Sequence, residues 1–509
     1  MIFLGIDCGT QALKIVAWNP DDSSILSVSK SYELIPNLPP GHKEQDPAVW
    51  IDALEACMEA LRDRGLRVSD VRGIGVSGQQ HGLVVLDEND KVLRPAKLWN
   101  DTSTEAECRE IIERAGGFNS YLDEIGNDLP PGFTASKILW LKKNEPAVYQ
   151  RARTFLLPHD YLNLYLTGNR LAEPGDASGT GYFRVRQREW SSRALKWIDP
   201  ERDLLELVPP LIDSREPAGT LRASLASRWG CPADVAVSSG GGDNMMGAIG
   251  SGNVRTGITT VSLGTSGTLY SYSSSPVIDP KGEVAAFCDS TGGWLPLVCT
   301  MNVTVATEMI RLNFEMGDHK DMERSVRGVT PGSEGLILIP YLEGERVPSV
   351  PAGTGVLLGL RPATATPAHL LRSAMEGVTL GLRYGLDRMT ELSGQSIDEM
   401  RLIGGGARSA VWRQIVADIF DVTVVCPDQD EGPAFGAALQ AMACVEGRTV
   451  QEVVDHHVGV REETRSHPSA NTRIYESLYQ LYCATSRTLI ESGLFEKHRK
   501  WIEGEKDNE

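Results

Sequence analysis

At 509 residues with 41% apolar side chains, the chain exceeds what one hydrophobic core supports and predicts two large domains or several small ones. Its 50 basic and 68 acidic residues leave a net charge of -18, which disfavours nonspecific binding to nucleic acid or an anionic membrane and points to a small-molecule partner. The nine cysteines are scattered and never form Cys-x-x-Cys, so neither a disulfide framework nor a zinc site is expected.

Met1 to Asp7 carries no basic flank and no run reaches 18 apolar residues, so no signal peptide or membrane span is expected and a cytoplasmic location follows. Ile2 to Ile6 reads as a strand, Asp7-Cys-Gly-Thr-Gln11 as a turn, Leu13 to Trp18 as a second strand and Ser24 to Tyr32 as a third. Asp46-Pro47 predicts an N-cap with proline at the first helical position, and Val49, Trp50, Leu54, Cys57, Met58 and Leu61 share one helical face. Val71 to Val76 returns to strand and ends in Ser77-Gly-Gln-Gln-His-Gly82. From about 95 to 233 the pattern is irregular, with short helical pieces at 135 to 143 and 160 to 166. Val235 to Val237 is a short strand, and three glycines then lead to Asp243 where a helix would begin.

Downstream, Ile258 to Leu263, Thr268 to Tyr272 and Ala285 to Asp289 repeat the opening meander, with Gly264-Thr-Ser-Gly267 as its turn. Helices are predicted over 303 to 314 and 367 to 392, and a strand from Met400 to Ile403 ends in Gly404-Gly-Gly-Ala407. Val411, Trp412, Ile415, Val416 and Ile419 mark one face of a further helix. Val422 to Cys426 reads as the last strand, Gly432 to Leu439 as a turn and helix, and Ile474, Leu478, Leu481 and Leu489 as the buried face of a C-terminal helix, followed by a charged tail, Glu503 to Glu509, expected to fray.

The halves match: Asp7-x-Gly9-Thr10 is followed far downstream by Gly247-Ala248, and Ser262-x-Gly264-Thr265 by Gly436-Ala437. The first separation is 238 residues against 172, an excess of 66. Inserted loops on a rigid scaffold build binding surface, so the elaboration at 95 to 233 is where a specific ligand pocket is expected. The small pairs Gly247-Ala248 and Gly436-Ala437 predict two helices in close backbone contact.

Two Gly-Thr turns between antiparallel strands offer N–H groups and hydroxyls to phosphate oxygens, and Gly404 to Ala407 leaves bare backbone between a strand and an amphipathic helix. Each alone is equally an ordinary turn. Neither GxxxxGK[ST] nor an HRD and DFG pair is present, and Gly73-x-Gly75-x-x-Gly78 leads into Gln79-Gln-His81 rather than a helix, so it is read as chance. Gln79, Gln80 and His81 can chelate vicinal hydroxyls, and Trp99-Asn100-Asp101 offers an aromatic face with an amide and a carboxylate; both sets could instead be structural. Asp243 is either an N-cap or a working carboxylate.

Asp7-Cys-Gly-Thr-Gln, Ser77-Gly-Gln-Gln-His-Gly, Leu98-Trp-Asn-Asp, Gly240-Gly-Gly-Asp-Asn244, Ser262-Leu-Gly-Thr-Ser-Gly, Pro340-Tyr-Leu-Glu-Gly-Glu-Arg346, Ile403-Gly-Gly-Gly-Ala-Arg-Ser and Gly432-Pro-Ala-Phe-Gly-Ala-Ala resemble, in that order, the motifs of the FGGY carbohydrate kinases. The resemblance implies duplicated α/β domains of the actin-like, ribonuclease H-like ATPase kind with a cleft between them. It implies an N-terminal domain over 1 to 247 with the sugar pocket and a C-terminal domain over 248 to 509 with the adenosine loop. It makes Asp243 the catalytic base and Asp7 the carboxylate near magnesium, with both as metal ligands. Gln80, His81, Trp99, Asn100, Asp101 and Asn244 fall on the sugar side, Gly9, Thr10, Gln11, Gly264, Thr265 and Ser266 on the phosphate loops, and Gly405, Gly406 and Ala407 on the adenosine loop. ATP and Mg2+ are the implied cofactors, and a small ketose or polyol the partner, with D-xylulose the leading acceptor and ribulose the alternative. A homodimer is compatible with this reading. Two sugar-side positions, Gln80 and Ser103, depart from the usual methionine and arginine. The rival class is a nucleotide-gated binding protein of the actin or heat-shock kind.

Overall fold

The computed structural model describes residues 1–504, and the expected fraying of the tail beyond Gly504 lies outside them. Two compact units are formed. The first gathers Met1–Arg255, Tyr272–Pro296 and Gln429–Val458; the second gathers Thr256–Ser271, Leu297–Asp428 and Gly459–Glu509.

In the first unit the strand Ile2–Cys8 pairs antiparallel with Ala12–Asn19, which pairs antiparallel with Ser24–Ser31. On its other side Ile2–Cys8 runs parallel to Val71–Gly78, and Ala236–Ser238 adds in parallel before Pro217–Thr220 closes the edge antiparallel. Strand side chains alternate between faces. Leu4, Ile6, Ile15, Ile74 and Val76 therefore share one face, where they form a core with Trp50, Leu54, Met58 and Leu61 of the helix Ala48–Asp63 and with Leu162 and Leu166 of Pro158–Thr167. Each such apolar side chain contributes about 1.5–3 kcal/mol on burial. The helix begins one residue later than its sequence predicts: Pro47 itself is the N-cap, and Asp46 accepts the Ala48 N–H at 3.0 Å.

The opposite face of this sheet is lined by glycine because a helix backbone lies on it. A Cβ added to Gly5 would stand 1.7 Å from the Ala434 carbonyl oxygen, and one at Gly75 2.0 Å from that of Ala437. Both carbonyls belong to the helix Gly432–Glu446, which also meets the helix Asp243–Gly250: an added Cβ at Gly436 falls 1.9 Å from the Met246 oxygen, and one at Gly250 2.0 Å from that of Gly432. The expected backbone contact between two helices is present, and Gly250 is a partner that the sequence did not single out. The Gly73-x-Gly75-x-x-Gly78 spacing has a packing role, since Gly73 and Gly75 clear this helix while Gly78 clears the backbone of His159.

The second unit repeats the topology. Ile258–Leu263 and Gly267–Ser271 form a hairpin joined by the strand that ends at Thr300, then Glu399–Ile403 and Thr423–Pro427 add in parallel and Val460–Ser466 antiparallel. The duplication read from the sequence is thus a duplication of strand order, that of actin-like α/β domains. Two expectations are corrected. Thr423–Pro427 is not the last strand; the charged edge strand Val-Arg-Glu-Glu-Thr-Arg-Ser466 follows, its apolar signal replaced by charges that suit a half-exposed edge. In the helix Thr472–Glu491 the buried face carries Tyr475, Leu478, Tyr479 and Tyr482, while Ile474 and Leu481 are 46% and 48% exposed. Tyr475 closes a buried set with Arg372 (2.9 Å) and Glu376 (2.8 Å) on the helix Pro367–Ser393, which explains the preference for a ring with a hydroxyl. Among the described residues no helix is long and apolar enough to cross a membrane.

Candidate active site

Parallel strands deliver their C-terminal ends to one edge, and that is where the carboxylates gather. Asp7 pairs in register with Ser77, Ser77 pairs with Gly241, and Asp243 follows directly. Ser77 Oγ donates to Asp7 Oδ1 at 3.0 Å. Burial nevertheless pushes the Asp7 carboxyl up to about 6, against the Ser77 bond and Lys14, with Glu431 adding to the rise. Asp243 is pushed up to about 7, first by burial and then by the negative charges of Asp7 and Asp176. The N-cap of its helix is Gly242, and Asp243 is the first helical residue, its Oδ1 accepting the Asn244 N–H at 2.8 Å. The capping alternative for Asp243 is therefore set aside. A partly buried carboxylate whose ionisation lies near neutrality is both open to a ligand and able to take up a proton at physiological pH.

The sugar-side residues divide. Asn244 Nδ2 donates to Gln80 Oε1 at 2.9 Å and lies 3.1 Å from Asp243 Oδ1. Gln80 is only 4% exposed, with its amide nitrogen 3.5 Å from Met245 Sδ. Its amide oxygen is thus taken by Asn244. His81 is partly exposed, and its ring lies 4.5 Å from that of Phe133 and 5.9 Å from that of Phe287. Trp99 Nε1 donates to Thr10 Oγ1 at 2.9 Å, which in turn donates to Gln79 at 3.2 Å, so Thr10 links the Gly9–Gln11 turn to the tryptophan. Asn100 is partly exposed and its Oδ1 has no hydrogen-bond partner among the described residues.

Asp101 is corrected. It is fully buried and accepts the Lys43 N–H (2.8 Å), Lys97 Nζ (2.9 Å), and the N–H and hydroxyl of Ser103 (3.0 and 2.5 Å). These donors occupy its oxygens and hold its ionisation below the usual carboxylate range despite burial. Lys97, also fully buried, lies 3.3 Å from Glu44 and 3.2 Å from His42 as well, so its ammonium sits within the only cluster of three such side chains among the described residues, His42, Glu44 and Asp101, whose spacing would suit a metal ion. Asp101 anchors its loop, and its partner Lys97 ends the short strand Ala96–Lys97.

In the second unit Gly264-Thr-Ser266 and Gly404–Ala407 end neighbouring parallel strands whose register pairs Ser262 with Ile403. Gly404 takes φ +86°, and an added Cβ would meet the Leu263 carbonyl at 2.8 Å. Gly405 has nothing within 4 Å of its open side, whereas Gly406 and Ala407 are buried. Thr265 and Ser266 are exposed at the hairpin tip, while the Thr265 and Gly264 carbonyls accept from Val303 and Thr304. The two predicted nucleotide loops thus adjoin, with Gly404, Gly405, Thr265 and Ser266 their exposed members.

Models of the FGGY family of carbohydrate kinases match this chain, the N-terminal domain over residues 2–250 and the C-terminal domain over 259–444. It is 39% identical over 487 residues to the xylulose kinase of Haemophilus influenzae, covering 94% of this chain and 98% of the relative. To the xylulose kinase of Bacillus subtilis it is 35% identical over 488 residues, covering 94% and 95%. The solved "xyloylose kinase" of Brucella ovis superposes with a TM-score of 0.89 at 32% identity, over 96% of this chain and all of that one.

Proposed function

Because this chain belongs to the FGGY family of carbohydrate kinases, an ATP-dependent sugar kinase family, we propose that its acceptor is D-xylulose and its product D-xylulose 5-phosphate. The relatives named xylulose kinase, alike over nearly their whole length, support that acceptor. The observation that carries the chemistry is the pairing of Asp7 with Asp243, whose carboxyl sits near neutrality. Asp243 takes the proton from the acceptor O5 hydroxyl as that oxygen attacks the γ-phosphorus of ATP. The bond from the γ-phosphorus to the bridging oxygen breaks, and ADP leaves with its electron pair. Phosphoryl transfer demands alignment and charge neutralisation more than covalent help.

The oxygen donors of Asp7 and Asp243 suit a hard divalent cation, and their mutual repulsion is what such a cation relieves. Mg2+ held there would neutralise the transferring phosphoryl group. His81, Asn244, Trp99 and Asn100 face the acceptor, with Gln80 hydrogen-bonded to Asn244. Thr265, Ser266 and Gly405 face the nucleotide. Acceptor pocket and base thus fall within residues 1–247, and the adenosine loop within 248–509.

The test is ADP release with D-xylulose, D-ribulose, L-ribulose and glycerol. D-xylulose is expected to give the highest kcat/KM. A higher value for ribulose moves the assignment to the alternative pentulose, and turnover indifferent to every acceptor returns the actin-like or heat-shock-like reading.

A further inference from the structure

His81 holds a backbone conformation that side-chain-bearing residues rarely adopt, with φ +63°. Its carbonyl is pinned by two donors, Lys137 Nζ at 2.7 Å and Thr134 Oγ1 at 3.2 Å. The same ammonium donates to the Gly132 carbonyl at 2.5 Å, tying the turn around His81 to the loop before the helix Thr134–Asn144. Thr134 and Lys137, three residues apart, share a helical face, which is why both reach one carbonyl.

Lys137 is fully buried, yet both of its hydrogen-bond partners are carbonyls, and no carboxylate lies within ion-pair distance among the described residues. Burial pushes its ionisation down to about 7. Nearby Lys97, equally buried, has Asp101 and Glu44 as counter-ions within 3.3 Å. With Asp101 acting on it only from beyond ion-pair distance, an ammonium hydrogen-bonded to carbonyls alone is a costly way to hold a loop, and its yield is geometric. The His81 ring is fixed from its other sides by Phe133 and Phe287, and by Gly179, where an added Cβ would fall 2.2 Å from the imidazole.

We infer that Lys137 is a positioning residue for acceptor recognition: by fixing the His81 carbonyl it holds the left-handed turn that aims the imidazole at the acceptor, without touching the acceptor itself. This rests on the reading of His81 as an acceptor contact.

The experiment compares Lys137→Met, the milder Thr134→Val, His81→Ala and the double variant Lys137→Met with His81→Ala in the full chain. Lys137→Met is expected to raise the D-xylulose KM about tenfold, and Thr134→Val about two- to threefold, with the ATP KM within twofold of the parent. On the His81→Ala background Lys137→Met should add little, because its effect runs through the residue already removed. An ATP KM rising in step, or a Lys137→Met effect that persists in full without the imidazole, overturns the inference. Should Lys137→Met fail to fold, Thr134→Val alone carries the same test, and an unchanged D-xylulose KM there overturns it. If His81→Ala raises the D-xylulose KM while neither supporting variant does, only the inference falls; if His81→Ala leaves that KM unchanged, the acceptor reading of His81 falls and the inference with it.

Discussion

The side-chain amide of Asn244 lies closer to Gln80 than to its own neighbour: its nitrogen is 2.9 Å from Gln80 Oε1 and 3.1 Å from Asp243 Oδ1. Gln80→Met removes that acceptor while keeping the length of the side chain. A net hydrogen bond of about 0.5–1.5 kcal/mol corresponds to roughly 2- to 13-fold, so the D-xylulose KM or kcat should worsen within that range while the ATP KM stays. Steady-state kinetics in both substrates checks this. A loss confined to the ATP KM would place Gln80 elsewhere in the mechanism.

Asp243→Asn keeps the shape of the side chain and loses the proton acceptor, so kcat should fall by at least about 100-fold. The folded-state ionisation near 7 lies above the unfolded value of 3.8, so between these values the folded protein binds more protons than the unfolded one. The stability associated with the protonated form is fully present in acid and lost as pH rises through about 7. The Asn variant, which carries no charge to bury, should therefore melt above the parent at pH 8 and together with it near pH 4. Melting curves at both pH values, without added metal, decide it; equal melting at pH 8 would show that Asp243 is not held near neutrality.

Gly436→Ala must displace the Met246 carbonyl, 1.9 Å from the new Cβ, and Gly250→Ala must displace that of Gly432 at 2.0 Å. Either should cost roughly 1–3 kcal/mol and lower the melting temperature. Gly328→Ala is the control: φ is -79°, the nearest atom is 3.6 Å away, and the change should stay within about 0.5 kcal/mol.

Lys97→Met leaves Asp101 buried without its counter-ion, while Glu44 keeps Arg94 at 2.8 Å, a loss of roughly 3–5 kcal/mol. Manganese added to the parent protein should bring no stabilisation traceable to this grouping, because the ammonium holds its centre. Thermal melts of the parent and of His42→Ala with and without Mn2+ test that; a metal-dependent rise present in the parent and absent from His42→Ala would reverse the assignment.

The strands that alternate or run apolar, Ile2–Cys8, Val71–Gly78 and Ile258–Leu263, were legible because local pattern and burial agree. Val460–Ser466 was not, since an edge strand tolerates charge on both faces. At the site, residues at strand ends could be found by motif, but which amide faced outward could not: Gln80 and Asn244 are 164 residues apart, and their bond sets the orientation of both. Lys137 escaped notice for the same reason, as its partner His81 lies 56 residues earlier. Asp101 was assigned the wrong task because an acidic residue after Trp-Asn looks the same from sequence whether a sugar or Lys97 takes its oxygens.

The helix Gly432–Glu446 has a consequence for how the protein is made. Gly5 and Gly75 sit in strands translated early, yet the backbone that covers them emerges from the ribosome more than 350 residues after Gly75. Until then one face of the first sheet has nothing to pack against, and contacts of such sequence separation form late and slowly. A nascent chain halted after Arg255 would hold the base and most of the acceptor residues on a half-covered sheet, making truncated products and premature stops prone to chaperone capture and proteolysis rather than to partial activity.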